Sequence, residues 1–152
     1  MRILLERNDI NPDKQDRQGR TPLSWVSGSG HETVVKLLLA REDVNPDKPD
    51  KWCRTPLSWA SMSGHEGVVR TLLARNDVNP DKPDKWCRTP LSRASGARNG
   101  GVVGLLLERR DIIPDKLEKW YLTPLLRASS AGHEGVVRML LESSNANPEE
   151  PD

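Results

Sequence analysis

The chain has 152 residues, enough for one domain, and 35% of them are hydrophobic, with five tryptophans, one tyrosine and no phenylalanine. A single globular core normally draws on about 45–50% apolar residues, so this composition favours an elongated shape with a thin buried seam. Charged residues make up 30% of the chain but leave a net charge of only +1, which argues against a bulk attraction to nucleic acid or membranes.

The sequence also bears on the compartment. Residues 1–7 are too few and too charged to form the apolar core of a signal peptide, and no apolar run approaches the ~18 residues that cross a bilayer. The two cysteines, Cys53 and Cys87, are too few for a disulfide framework. We therefore expect a cytoplasmic, reducing environment and no membrane association.

An internal repeat with a step of 34 residues runs along the chain. The tripeptide Thr-Pro-Leu marks each unit and begins at Thr21, Thr55, Thr89 and Thr123. The dipeptide Val-Val follows with the same step and begins at Val34, Val68, Val102 and Val136. Gly-His-Glu recurs in three units, whereas the third unit reads Arg98-Asn99-Gly100 at that place.

The second unit shows the elements that each repeat predicts. Thr55 is a helix N-cap, and the proline after it suits the first helical position, so helix A runs over about 56–62 and ends at Gly64. Helix B begins near Glu66, where an acid suits the positive helix end, and carries an apolar stripe at helical spacing. The Pro-Asp-Lys segment that follows forbids helix and extends the chain toward the next Thr-Pro.

Such a short helix pair cannot bury its apolar face alone, so neighbouring units must stack on one another. The predicted seam in the second unit consists of Leu57, Ala60, Val68, Leu72 and Leu73. We expect an all-α solenoid of stacked antiparallel helix pairs joined by extended hairpin-like loops.

These landmarks, in the order Thr-Pro-Leu-Ser-Trp-Ala, Gly-His, Val-Val, Leu-Leu and Asp-Val-Asn, resemble the ankyrin repeat over nearly the whole chain. The amino-acid sequence of the loops is most similar to that of the loops in ankyrin arrays of fungal multidomain proteins. The resemblance implies one ankyrin-repeat domain over 1–152, with a partial repeat at 1–14, full repeats at 15–48, 49–82 and 83–116, and a last repeat at 117–152. It also implies a protein-binding module without catalytic activity or cofactor.

Two departures from the family's pattern bear on structure. The family's Thr-Pro-Leu-His has another residue in the His position of every unit, namely Ser24, Ser58, Ser92 and Leu126. The inter-repeat hydrogen bonds of that His are therefore not expected. The family's hairpin glycine is kept at Gly19 but replaced by Cys53, Cys87 and Leu122, and we expect a changed turn geometry that avoids a strained left-handed backbone.

In the ankyrin family, partners are usually held by the loop tips and the inner surface of helix A. The corresponding loop-tip positions here are Arg20, Lys51, Trp52, Arg54, Lys85, Trp86, Arg88 and Trp120. The end of helix A adds Met62, and the ends of helices B add Arg41, Arg75 and Arg109.

The tip tryptophans, defined as Trp52, Trp86 and Trp120, occupy one position in three successive units, so they should form a row with steps of roughly 10 Å. Tryptophan is enriched at binding hot spots, which favours partner contact. The alternative is that each indole shields its own hairpin, and the two roles are compatible.

Two further sets of residues have a structural and a binding interpretation. Trp25 and Trp59 lie in helix A and are replaced by Arg93 and Arg127, which favours packing at a half-exposed position. Arg41, Arg75 and Arg109 form either a basic row for an acidic partner or simple helix C-terminal caps.

Catalytic and metal sites are not predicted. His31, His65 and His133 stand in the turns between helices A and B without a nucleophile beside them, and no phosphate-binding glycine loop is present. Cys53 and Cys87 are one repeat apart, farther than the roughly 4.4–6.8 Å that a disulfide spans between Cα atoms.

Three functions remain. The leading one is a protein-interaction module, and the alternative is a spacer or assembly segment of a larger protein. Exposed apolar ends, with residues 3–5 at one end and 139–141 at the other, would then self-associate. Nucleic acid binding through the Lys-Trp-Cys-Arg tips is disfavoured, because neighbouring aspartates repel phosphates.

Overall fold

The computed structural model of the chain describes residues 9–145, with the side chains of 9–143. Four helix pairs follow one another. The helices are α1 (Pro22–Ser29), α2 (Glu32–Leu39), α3 (Pro56–Ser63), α4 (Glu66–Leu73), α5 (Pro90–Gly96), α6 (Gly100–Leu107), α7 (Pro124–Ser130) and α8 (Glu134–Asn145). No strand occurs in this part of the chain, which confirms the all-α solenoid. The predicted helical segment before residue 9 lies outside the described residues.

Each helix A begins as the sequence predicts. The capping threonine is extended, and its hydroxyl accepts the backbone N–H three residues later, as Thr55 does from Ser58 at 3.2 Å. This bond satisfies one of the free N–H groups at the helix start. The helices α1 and α3 end at Gly30 and Gly64, both left-handed with φ of 78° and 80°. Their glycines make these two A–B turns possible without backbone strain.

The helices form two layers, because α1, α3, α5 and α7 stack in sequence and α2, α4, α6 and α8 do the same. The seam between the layers contains the predicted Leu57, Ala60, Val68 and Leu72, all essentially inaccessible to solvent. Leu73 differs from the prediction, since it is only partly buried and packs against the core from its edge. The buried seam continues through all four pairs, which explains how a chain with few apolar residues holds together.

The Pro-Asp-Lys loops bind one another across repeats. The Lys48 ammonium donates to the Asp13 carbonyl oxygen at 3.1 Å, and the backbone N–H of Asn45 donates to the Asp13 carboxylate at 2.9 Å. Both contacts recur one repeat later, where the Lys82 ammonium donates to the Asp47 carbonyl oxygen at 3.0 Å and the backbone N–H of Asn79 donates to the Asp47 carboxylate at 2.8 Å. The lengthened loop therefore links neighbouring repeats through its own polar groups, in addition to the apolar seam.

The hairpin turns contradict one expectation. Cys53 and Cys87 have φ of 60° and 61°, the same left-handed conformation as Gly19 at 79°, so the turn geometry has not changed. In the fourth unit the left-handed residues are Trp120 and Tyr121, whereas Leu122 is extended. Tyr121 stands two positions before the capping threonine, as the cysteines do, so Tyr121 and not the predicted Leu122 replaces the family's glycine in this unit. The chain accepts strain at these turns because the surrounding hydrogen bonds hold the loop in place.

This strain leads to a stability prediction. Changing Cys53 to glycine should raise the free energy of unfolding by about 1 kcal/mol, because a left-handed residue with a Cβ costs roughly 1–2 kcal/mol and part of the gain is offset by the entropy of glycine. Urea denaturation followed by circular dichroism measures the change. Cys53→Ala is the matched control, since it removes the thiol and keeps the Cβ. An equal gain from both variants would assign the effect to the thiol instead.

Candidate functional site

A carboxylate stands at each loop tip and accepts backbone N–H groups of the turn in the first three units. It stands five residues before the capping threonine, and we call the four residues the hairpin acids: Asp16, Asp50, Asp84 and Glu118. Asp50 accepts the backbone N–H groups of Trp52 and Arg54 at 2.8 and 3.0 Å, and also the Arg54 Nε at 3.0 Å. Because the Asp50 side chain is buried, its charge depends on these donors. The hairpin acid therefore fixes the turn that presents the tip tryptophan and arginine.

Two of the hairpin acids, Asp16 and Asp84, have a lowered pKa. Burial by itself raises the pKa of Asp84, but the backbone N–H groups of Arg88 and Trp86 and the Arg93 guanidinium bring it below its ordinary value. The pKa of Asp16 is lowered to about 2, chiefly by the hydrogen bond from the backbone N–H of Arg20. The tips of the first and third units thus carry an anion at neutral pH with an arginine bound to it.

A position in helix A completes the tip. It lies nine residues after the hairpin acid and is occupied by Trp25, Trp59, Arg93 and Arg127. The indole N–H of Trp59 donates to Asp50 at 3.2 Å. In the fourth unit Arg127 makes the equivalent contact, donating Nε to Glu118 at 2.9 Å. Tryptophan in the first two units and arginine in the last two can fill the same position because each presents a planar group with an N–H for the acid.

The tip tryptophans differ in their surroundings. Trp52 and Trp86 are half-buried, and each lies 4.5 Å from the guanidinium of Arg54 or Arg88. Arg54 also lies 4.0 Å from the Trp59 ring, so its guanidinium sits between two indoles. Trp120 has leucine in place of the arginine and is 74% exposed. The row of tip tryptophans is therefore partly covered in the second and third units and open in the fourth.

The backbone of the tips is continuous across repeats. The N–H of Lys51 donates to Gln18 O at 3.1 Å, and the N–H of Lys85 donates to Trp52 O at 2.9 Å. The side chains of Lys51 and Lys85 are exposed. The tips thus form one connected edge with exposed lysines beside the aromatic rings.

The arginines at the ends of helices B form intramolecular hydrogen bonds and ion pairs. Arg75 donates to both carboxylate oxygens of Asp77 at 2.8 and 2.7 Å, and its Nη1 donates to Leu39 O in the preceding unit at 2.8 Å. Arg109 makes the same bond to Leu73 O at 2.9 Å, and Arg41 is paired with Asp43. These contacts cap the preceding helix and neutralise much of the positive charge on this row.

The residues between helices A and B also join the repeats. His65 Nε2 lies 3.1 Å from Gly28 O, and His133 Nδ1 lies 2.9 Å from Ser95 O. In the third unit Asn99 takes this place and donates to Ser61 O and Met62 O at 2.9 Å. These bonds to the preceding helix A supply inter-repeat hydrogen bonding even though the Thr-Pro-Leu-His histidine is absent. In the third unit Ser92, in that histidine's place, adds a hydroxyl bond to Glu118 of the next unit.

The described residues contain neither a metal-ligand cluster nor a membrane-spanning helix. Cys53 and Cys87 are exposed free thiols, and within residues 9–143 no group of three or more His, Cys, Asp or Glu side chains is placed to hold a metal ion. The longest helix in this part of the chain has 12 residues, and none there has the length and apolarity that a membrane crossing requires.

Two clefts open between neighbouring helices A. The first, about 130 Å³, is lined by Trp25, Trp59 and small residues. The second, about 220 Å³, is lined by the side chains that we call the arginine cleft: Met62, Arg88, Ser92, Arg93, Gly96, Ala97 and Arg127. The structure therefore brings the predicted Met62 and Arg88 together with two arginines that the sequence had suggested only for packing. The sequence signal for Arg93 and Arg127 is their position nine residues after a hairpin acid.

The stacked helix pairs, the connected tips and the inter-helix clefts define the chain as a helical repeat scaffold with an extended surface. The family model for ankyrin repeats in three copies matches residues 1–84, and the model for a single ankyrin repeat matches 120–152. No curated protein matches the chain. The chain belongs to the ankyrin repeat family, whose members are in general protein–protein interaction modules and typically not enzymes.

Proposed function

We propose that this chain holds a protein partner on the face formed by its loop tips and helices A. The observation that carries the proposal is the connected edge of tips, where Trp52 and Trp86 stand beside exposed lysines and stacked arginines. Tryptophan and arginine bring large contact area and forked hydrogen bonds, which is why they dominate binding hot spots. Trp120 extends this edge with an indole that is almost fully open.

The other predicted contact residues contribute unequally to the proposal. Arg20, Arg54 and Arg88 are each bound to a hairpin acid, so they offer only their remaining donors and stacked faces to a partner. Arg41, Arg75 and Arg109 are paired with nearby aspartates, which weakens their attraction for an acidic partner. The tips and helices A therefore form the stronger candidate surface, and the ends of helices B a weaker one.

The alternative is a spacer or assembly segment without a partner of its own. Met139 and Leu141 on α8 are exposed apolar side chains that could pack on a second copy or on a further repeat. The residues 3–5 that were predicted to form the other end lie outside the described residues.

Changing both Trp52 and Trp86 to alanine should weaken partner binding by at least about 30-fold, since a hot-spot side chain contributes 2 kcal/mol or more. The partner is captured from cell extract, identified by mass spectrometry and then titrated with purified chain. Far-ultraviolet circular dichroism checks that the helices remain. Ile113→Ala, which removes an exposed apolar side chain away from the tips, should leave affinity unchanged. Unchanged affinity in the folded tryptophan variant would show that the tip tryptophans do not bind the partner. Failure to capture any partner would favour the spacer.

A further inference from the structure

The arginine cleft is lined by arginine side chains that are bound to buried carboxylates. Arg88 and Arg93 both donate to Asp84, and Arg127 donates to Glu118. The two carboxylates are fully buried, with side chains 0% and 1% exposed, whereas the three arginine residues line the open cleft. Three cations stand against two carboxylates here, so the cleft keeps an excess of one positive charge.

The donors of these guanidinium groups exceed their acceptors. Arg88 reaches its acid through Nε alone, and Arg127 reaches its acid through Nε and Nη2. Among the described residues, Arg93 Nε is buried without a hydrogen-bond partner, and Arg93 Nη1 has only the Met62 sulfur at 3.4 Å. A buried donor without an acceptor is costly, so an added oxygen acceptor at this place is favourable.

The electrostatics of Arg93 agree with this geometry. Burial lowers the pKa of its guanidinium, the Asp84 carboxylate opposes that shift, and the neighbouring charges of Arg88 and Arg54 lower it further. Arginine nevertheless stays protonated in proteins, so the cleft holds closely spaced positive charges that are incompletely compensated. A further carboxylate, supplied by a ligand, would relieve this repulsion.

We propose that the arginine cleft binds the side-chain carboxylate of an aspartate or glutamate in a peptide segment of the partner. This inference rests on the proposed function and names the chemistry that one part of the face recognises. A carboxylate fits the forked donors of arginine, and the small Gly96 and Ala97 leave room for it beside the Met62 side chain. The volume of about 220 Å³ is below the roughly 300–1,000 Å³ of small-molecule sites, which suits one inserted side chain.

The surroundings of the cleft favour a peptide over a nucleic acid. A nucleic acid needs a row of cations along its phosphates, whereas the adjoining cleft is lined by Trp25 and Trp59. The Trp59 ring is not open for base stacking, because Arg54 lies 4.0 Å over it and Gly28 of the preceding helix lies against it. The net charge of +1 for the whole chain adds no long-range attraction.

The chain itself suggests the test variant. Trp25 and Trp59 occupy the Arg93 and Arg127 positions in the first two units and donate to their hairpin acids through the indole N–H. The double variant Arg93→Trp/Arg127→Trp therefore keeps a donor for each buried acid and removes both positive charges. Arg70→Gln/Arg110→Gln is the charge-matched control, since both side chains are exposed and lie away from the cleft. Arg88→Gln, a milder change in the same cleft, serves if the double variant does not fold.

The probe is a displayed library of random short peptides, selected on the wild-type chain. We expect selected peptides to share one acidic residue, and its change to glutamine to weaken binding by about 10- to 100-fold. The Arg93→Trp/Arg127→Trp variant should weaken binding of the acidic peptide by a similar factor and should no longer distinguish glutamate from glutamine. The Arg70→Gln/Arg110→Gln control should bind as the wild type does.

Selected peptides without a shared acid, or an acidic peptide bound equally by wild type and cleft variant, would overturn the carboxylate site alone and leave the interaction module standing. Folded wild-type chain that selects no peptide would overturn the interaction module, and the carboxylate site with it. Preferred binding of a single-stranded oligonucleotide, lost in the cleft variant, would assign the cleft to phosphates and overturn the peptide assignment.

Discussion

Replacing Asp84 with alanine is expected to lower the free energy of unfolding by about 3–5 kcal/mol, the usual cost of breaking a buried ion pair from one side. The side chain of Asp84 is inaccessible to solvent and accepts the backbone N–H groups of Trp86 and Arg88 at 2.8 and 3.0 Å. It is also the partner of Arg93, whose side chain is only 11% exposed. Without the carboxylate, Arg93 is left as a buried charge that has lost its counter-ion.

The control for this result is Asp16→Ala. Asp16 is the hairpin acid of the first unit and makes matching bonds to Gln18, Arg20 and Trp25, but its side chain is 32% exposed. Water can replace the lost acceptor there, so the loss of stability should be much smaller. Urea denaturation of both variants decides the comparison, and equal losses would contradict the role of burial at Asp84.

The pH dependence of the Asp84 effect has a defined sign. Because the pKa of Asp84 is lower in the folded chain than in the unfolded chain, its carboxylate stabilises the fold above the unfolded pKa of about 3.9. That contribution is lost as the pH falls through the lower, folded value. The stability difference between wild type and Asp84→Ala should therefore shrink in acid, and a constant difference across this range would point to lost packing instead.

The second large effect is expected for Leu91→Ala, which should lower the free energy of unfolding by about 2–5 kcal/mol. Leu91 is completely buried in α5, and this helix packs against α3 on one side and α7 on the other. A cavity at this place weakens two repeat interfaces at once, because each unit of a solenoid is stabilised by its neighbours.

Leu126→Ala is the matched control for the core substitution. It removes the same atoms from α7, but the Leu126 side chain is 49% exposed, so the change should stay within about 0.5 kcal/mol. Thermal and urea unfolding, both followed by circular dichroism, compare the two variants. Similar losses for Leu91 and Leu126 would show that the seam is not the main source of stability.

The starts of helices A could be predicted from neighbouring residues alone. All four capping threonines accept the N–H three residues later, because this bond involves only neighbouring residues and the fixed φ of proline. The apolar seam was predictable for a similar reason, since a helix places every third or fourth residue on one face. Leu73 was the exception, since it is only partly buried.

The hairpin turns show where local reasoning fails. A cysteine predicts a right-handed or extended backbone, yet Cys53 and Cys87 are left-handed. The hairpin acid and the bonds to the neighbouring tip hold the loop in the conformation that Gly19 adopts freely. The tertiary structure overrode the preference of the residue, and the preference alone had favoured a changed turn.

The sequence by itself determined the 34-residue period, the helix pairs, the buried seam and the membership of the ankyrin repeat family, because these depend on contacts within a few residues or on the repetition of one unit. Only the tertiary structure decided that Arg93 and Arg127 belong to a cleft with Met62 and Arg88. The groups that form this cleft lie up to 65 residues apart in the sequence and meet only when helices A stack. The third repeat alone holds the charge excess, because Arg88 and Arg93 share Asp84, but only the stacking of helices A places Met62 and Arg127 beside them.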